Sequence, residues 1–146
     1  MPDQSAKYQA VITRLYAEAN DGRRYELVDE LCQPDIVVHD PLNGESRGAE
    51  AYRGLLAFFG AAFPEQRTEL QQFVIQGDWL AVLHTHHAVN TGSFVGLPPT
   101  GRTVHVPGIE LYRFDPATAR IAEFWRFDAD LSLMQQLGAI PAPAAA

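Results

Sequence analysis

The 146-residue sequence predicts an α+β fold: three helices packed on a strongly curved, mainly antiparallel sheet, forming a conical barrel with an internal pocket. Two observations carry this. Up to Pro64 the apolar residues recur near every 3.6 positions, and beyond it near every two. The change happens once, so helices and strands are segregated along the chain instead of alternating, which is the α+β pattern. A sheet curved around its helices leaves an opening at one end, a natural small-molecule site.

The elements follow in order. Residues 4–20 read as a helix, with Val11, Ile12, Leu15, Tyr16 and Ala19 on one stripe and Asp21-Gly22 ending it. Residues 24–32 form a second, short helix that turns Leu27, Val28 and Leu31 inward, and Pro34 stops it. Ile36 to His39 is a short strand, and Asp40-Pro41-Leu42-Asn43-Gly44 a loop. Residues 48–62 make the third helix, which brings Tyr52, Leu55, Leu56, Phe58 and Phe59 to the core before Pro64. Four strands are expected at 67–76, 79–90, 102–114 and 120–128, the first two joined tightly at Gly77-Asp78. Asn90 to Gly101 is a longer loop, and 130–137 a last helical turn. With no internal repeat or linker, one domain spans 1–146, with its core at about 4–138 and a flexible tail at 139–146.

Composition narrows the chemistry. Eleven basic residues against 18 acidic ones give a net charge of −7, a surface that repels phosphate backbones, so no nucleic-acid partner is expected. No apolar run reaches the roughly 18 residues of a membrane helix, and the first residues, Met1-Pro2-Asp3-Gln4, lack a signal-peptide pattern. A cytoplasmic protein without membrane association is the expectation. One cysteine, Cys32, excludes an internal disulfide, and one lysine, Lys7 in the first helix, argues against Schiff-base chemistry. There is no Gly-x-Ser-x-Gly elbow and no phosphate-binding glycine loop. Carboxylates, histidines, arginines and tyrosines remain, a general acid/base set.

The histidines at 84, 86 and 87 invite a metal reading. His84-x-His86 places two imidazoles on one strand face, as in cupins, but the positions where a cupin keeps its glutamate hold Asn90 and Thr91. Where its second motif needs a histidine there is Val104, with His105 one place late. A third ligand is missing, so no metal is expected.

Several stretches resemble the SnoaL-like polyketide cyclase family of the nuclear-transport-factor-two-like superfamily. Gly92-Ser93-Phe94-Val95-Gly96-Leu97-Pro98-Pro99-Thr100-Gly101-Arg102 is similar to that family's "PPTG" loop. Arg120 to Asp128, Met134 to Gly138 and Phe59 to Pro64 are similar to its tryptophan strand, its closing "QLG" and its "aaFP" helix end. The resemblance spans about residues 8–138. It implies an α+β barrel, usually a homodimer or larger, with one apolar pocket per subunit and neither metal nor organic cofactor. It also implies intramolecular aldol chemistry, in which a carboxylate removes a proton beside a carbonyl and a histidine assists. The cyclase histidine position falls here on Glu110 and the aspartate position on Arg126, so the family pair is not reproduced at its own positions.

The candidate catalytic residues are Asp128, Glu110, Arg126, His39 and Asp40. Asp128 shares a strand face with Ala122, Phe124 and Arg126, a pocket wall with a polar end. It also suits the cap of the following helical turn. Glu110 lies among Val104, Val106, Gly108, Tyr112 and Phe114, where an unpaired carboxylate is costly, so pairing with Arg126 or a raised pKa is expected. His39-Asp40-Pro41 is similar to the Asp-Pro dipeptide of the superfamily's ketosteroid isomerases, although Asp40 also suits a simple turn. His86, Tyr112, Phe124, Trp125 and Phe59 are candidates for substrate contact, with core or dimer packing the other use of Trp125 and Trp79.

The sequence thus predicts a cofactor-free enzyme acting on a small apolar carbonyl or polyketide-type compound by cyclisation, isomerisation or dehydration. Two alternatives stand beside it. Epoxide opening is suggested by the similarity of Arg126-x-Asp128 to the Asp-Arg-Asp arrangement of epoxide-opening members of the superfamily, with Asp40 as the second aspartate. The other is a non-catalytic small-molecule-binding accessory protein. A homodimer or homotetramer is expected, because a two-layer domain leaves one sheet face uncovered.

Overall fold

A computed structural model describes residues 3–144. Met1, Pro2 and residues 145 and 146 of the expected tail lie outside the described residues. One six-stranded sheet carries the architecture, with strand order β2-β1-β6-β5-β4-β3. Its strands are β1 (Cys32–Asp40), β2 (Gly44–Arg47), β3 (Arg67–Gln76), β4 (Trp79–Val89), β5 (Thr103–Asp115) and β6 (Arg120–Trp125). Only β1 and β6 run parallel; every other neighbouring pair is antiparallel. The helices are α1 (Ser5–Arg14), α2 (Val28–Leu31), α3 (Ala49–Ala62) and α4 (Asp130–Gln136).

The first helix departs from the expected uniform 4–20 segment. After Arg14 it widens into a π-helix, Leu15–Asp21, closed by the bond from the Gly22 N–H to Ala17 O. π-Segments are uncommon and concentrate at functional sites. This one turns Tyr16 and Asn20 to the interior and carries Asp21 to β3. The second helix is a 3-10 turn, Tyr25–Leu27, running into the four-residue α2. Pro34 lies within β1, at the register shift between Cys32 and Val37 that spares its missing N–H. The Asp40–Gly44 loop is a hairpin turn, because β2 pairs back on β1. The strand expected over 120–128 ends at Trp125, yet the chain stays on the sheet: the Arg126 N–H donates to His39 O and Asp128 bridges Gly108.

Period-2 alternation decides which side chains enter the core. In β4, Leu80, Val82, His84, His86 and Ala88 turn to the helices, and in β5, Val104, Val106, Gly108, Glu110, Tyr112 and Phe114 do so. Tyr8, Ile12, Leu15 and Tyr16 from the first helix and Tyr52 and Leu56 from α3 close over them. A second cluster gathers Phe63, Ala88, Phe94, Val104, Val106, Leu133 and Leu137 beneath the 90–101 loop. That loop is tied by buried Asn90, whose amide nitrogen donates to Gly92 O and whose carbonyl oxygen accepts from the Thr100 N–H and hydroxyl at 2.8 and 2.9 Å.

The opposite sheet face is apolar across several strands. The register aligns Val74, Ala81, Leu111, Trp125 and His39 in one row, flanked by Trp79, Leu83 and Ile109. Val74, Trp79, Leu83 and Ile109 are exposed in the monomer.

Candidate active site

The cavity lies between the helices and the concave sheet face. Its walls are mostly apolar: Leu15, Leu55, Leu56, Phe59, Phe63, Val104, Val106, Phe124 and Leu133, with Tyr16, Tyr52 and Tyr112. Its polar end is formed by His86, Glu110, Arg126 and Asp128.

His84 lies directly behind that end and is 0 % exposed. It faces Gly108 across the β4–β5 ladder, and Gly108 in turn bridges Asp128. A Cβ at position 108 would come within 2.2 Å of Asp128 Oδ1. The missing side chain is therefore the slot through which imidazole and carboxylate meet. His84 Nε2 lies 2.9 Å from Asp128 Oδ1 and 3.2 Å from Glu110 Oε1, so one imidazole N–H is shared between two carboxylates. Its Nδ1 faces Val82 O at 3.4 Å.

Burial alone would deprotonate His84. The hydrogen bonds and negative charges of Asp128 and Glu110 outweigh it and push its pKa up to about 10. Glu110 is the mirror case. Burial would keep its carboxyl neutral, but the charge and hydrogen bond of His84 and the nearby charge of His86 hold it well below the ordinary carboxylate range. At neutral pH the centre is an imidazolium between two carboxylates. Burial raises the phenols of Tyr16, Tyr52 and Tyr112 well above their usual range, leaving them neutral hydrogen-bond donors. Tyr112 donates to Tyr16 at 2.9 Å, which leaves the Tyr16 hydroxyl proton free to point into the cavity.

Arg126 holds the other side of Asp128. Its Nε is 3.1 Å from Asp128 Oδ2, and its Nη1 and Nη2 reach Asp40 at 3.0 Å and Asp130 at 2.5 Å. Its guanidinium also stacks 4.5 Å from the Phe59 ring centre. His86 is fixed from behind: Thr68 Oγ1 donates to Asp21 Oδ1 and lies 2.8 Å from His86 Nδ1.

The structure gathers seven of the sequence-derived candidates around the cavity: Asp128, Glu110, Arg126, His86, Tyr112, Phe124 and Phe59. Three lie elsewhere. His39 and Trp125 are on the outer sheet face, stacked on each other at 4.8 Å, because the inward places on β1 and β6 go to Val38, Asp40 and Phe124. His39 Nε2 meets Glu123 at 2.6 Å. Asp40 is buried behind Arg126, where it accepts from the Leu42 N–H and the Asn43 amide of its own turn. The expected Glu110–Arg126 pair does not form; Glu110 takes His84 instead. Asp128 does not cap α4, whose N-cap residue is Ala129. His84 was missed as a site residue because periodicity alone left open which face of β4 turns inward. The inward run of Val104, Val106, Glu110 and Tyr112 on the neighbouring strand was the available signal. The third ligand that the His84-x-His86 spacing lacks has candidates elsewhere in the chain: Glu110 on β5 and Asp128 after β6 offer donor atoms that lie, with those of His84 and His86, within 4.8 Å of one another.

Comparison with known proteins gives a consistent picture. A family model for the SnoaL-like polyketide cyclases matches residues 10–137. The chain is 25 % identical over 120 residues to an aklanonic acid methyl ester cyclase of Streptomyces peucetius, covering 79 % of this chain and 81 % of that one. A candidate polyketide cyclase from Streptomyces antibioticus superposes with a TM-score of 0.78 at 29 % identity, covering 90 % of this chain and 98 % of the other. A SnoaL-like protein from Jannaschia reaches 0.85 at 22 % identity, covering 93 % and 94 %, a likeness of fold.

The His84 contacts predict a pH dependence of stability. A pKa raised above the unfolded value stabilises the fold fully below about pH 6.5, and the contribution fades as pH rises and is gone above about 10. Urea unfolding of the wild-type chain is expected to show this decline, with an imidazole titration by NMR near 10. In Gly108→Ala the added methyl forces Asp128 away. We expect a loss of about 1–3 kcal/mol, a lower His84 pKa and a shallower alkaline decline; an unchanged titration would refute the slot.

Proposed function

The chain belongs to the SnoaL-like polyketide cyclase family, and from that premise we propose that it is a proton-transfer enzyme that closes or isomerises a small apolar carbonyl compound of polyketide type. The observation that carries this reading is the buried His84 held between Glu110 and Asp128 at the wall of an apolar cavity. The imidazolium keeps Glu110 ionised where burial would otherwise protonate it. A carboxylate beside an apolar wall is suited to removing a proton next to a carbonyl.

In this mechanism the apolar walls bind the ring system and orient the acidic carbon toward Asp128. Asp128 takes the proton, and the electron pair moves to the carbonyl oxygen. The Tyr16 hydroxyl or His86 donates to that oxyanion, where one positioned donor is worth about 3–4 kcal/mol. The enolate carbon attacks a second carbonyl, forming the C–C bond, and the proton passes from Asp128 to the new alkoxide. Arg126 positions Asp128, and Asp40 and Asp130 balance its charge. Glu110 completes the electrostatic frame.

A second reading, epoxide opening, is favoured by one observation: Arg126 connects Asp128 and Asp40 as an Asp-Arg-Asp unit. Asp40 does not line the cavity that Asp128 faces but a separate one with Asn43 and Phe58, which weighs against it. The binding-protein reading draws on the fact that both carboxylates are partnered. A titratable histidine as the shared partner favours catalysis, because it lets protons redistribute.

Aromatic polyketide keto esters, with aklanonic acid methyl ester among them, provide the assay. Asp128→Asn is expected to lower kcat by roughly 10²–10⁴-fold and Glu110→Gln by less, while ligand binding persists. Wild-type turnover in Asp128→Asn rules out the proposed base, and incorporation of labelled water into a diol from an epoxide selects the second reading.

We further propose self-association through the outer sheet face, whose row of Trp125, Leu111 and Val74 has no covering layer among the described residues. Ile109→Glu is expected to shift the mass measured by light scattering toward the monomer. A monomeric wild type would remove the interface.

A further inference from the structure

Beyond proton chemistry, the geometry points to a binding site for one zinc-class divalent transition ion, formed by His84 Nε2, His86 Nε2 and carboxylate oxygens of Glu110 and Asp128. His84 Nε2 stands 2.9 Å from Asp128 Oδ1 and 3.2 Å from Glu110 Oε1. His86 Nε2 stands 3.9 Å from Glu110 Oε1 and 3.8 Å from Asp128 Oδ2. A tetrahedral ion with ligands at about 2.0–2.1 Å spaces its donors about 3.3 Å apart, and the four donor atoms here lie within 4.8 Å of one another, so they have to draw together around it. Two imidazoles with two carboxylates form a ligand set suited to zinc and its first-row neighbours.

An independent observation comes from behind His86. The Thr68 hydroxyl gives its proton to Asp21, so it accepts from His86 Nδ1–H. That makes Nδ1 the donor on the Thr68 side and turns Nε2 to the cavity, where it becomes a ligand once it carries no proton. Nε2 faces the two carboxylates across 3.8–3.9 Å, a gap that a cation can bridge. A hydrogen-bonded chain that orients the far nitrogen of an imidazole is how proteins prepare histidine for a metal. Charge agrees once the ion displaces the Nε2 proton of His84 to solvent: two neutral imidazoles and two carboxylates then total −2, and the adjacent Arg126 is already balanced by Asp40 and Asp130. A bound ion would occupy the lone pairs that accept the substrate proton, so metal binding and turnover exclude each other. This last clause rests on the proposed proton chemistry; the binding itself does not.

Titration calorimetry of the full chain with zinc chloride, and visible absorption with cobalt(II), test the site. One ion per chain is expected, with a tetrahedral cobalt spectrum. Glu110→Gln and His86→Gln should weaken binding by 100-fold or more, and Thr68→Val, which leaves every ligand in place, by roughly 10-fold. The outer His87–His105 pair, with Nδ1 atoms 2.7 Å apart, is the competing binder, and His105→Gln should leave the affinity unchanged. No binding by the wild type, or binding lost in His105→Gln and kept in His86→Gln, overturns the site. Zinc binding that leaves wild-type turnover intact upholds the site and removes Asp128 as the base. Absence of binding with Asp128-dependent turnover removes the metal site alone.

Discussion

A buried imidazolium shared by two carboxylates is the constraint around which the interior is organised. Neither charge sign could be buried alone, because an unpaired ion in a low-dielectric interior costs several kcal/mol. His84, Glu110 and Asp128 satisfy one another only because β4, β5 and the segment after β6 converge within hydrogen-bond distance. The convergence depends on a void. Gly108 lies between His84 and Asp128 on the ladder, and any side chain there would occupy the place of the Asp128 carboxylate.

The surroundings follow from holding that centre. Arg126 clasps Asp128 from the side away from His84 and is itself held by Asp40 and Asp130. The π-helical turn at Leu15–Asp21 brings Tyr16 over the cavity and Asp21 against Thr68, which fixes His86. The loop with the family signature acts differently. Asn90 and buried Phe94 make it a structural closure over Phe58, Phe59 and Phe63, and it contributes no charged group to the polar end. A motif can therefore identify the family while the proposed reacting groups lie further along the strands it joins, and after β6.

Proton transfer and cation binding draw on the same physical property, lone pairs converging in a dry pocket. Arg126 and the shared proton on His84 bias the centre toward acid/base work. The Nε2 of His86, oriented through Thr68, faces the carboxylates across a gap that leaves room for an ion. Three phenols held neutral by burial add hydrogen-bond donors without adding charge.

The helix-then-strand order, the inward faces of α3 and β5, the acid/base character and the family were legible in the sequence, because period and composition are local properties. Glu110 and Asp128 were legible as candidates because a carboxylate on an apolar face is an anomaly in one dimension. His84 was not legible, since alternation says that 84 and 86 share a face but not which face is covered. His39 and Trp125 were misjudged for the same reason: one residue of register moves a side chain through the sheet. Which groups share a proton, that Arg126 takes Asp40 and not Glu110, and that four ligands from three segments meet were decided only by the tertiary structure, because cross-strand register and the close approach at Gly108 are set by packing between distant parts of the chain.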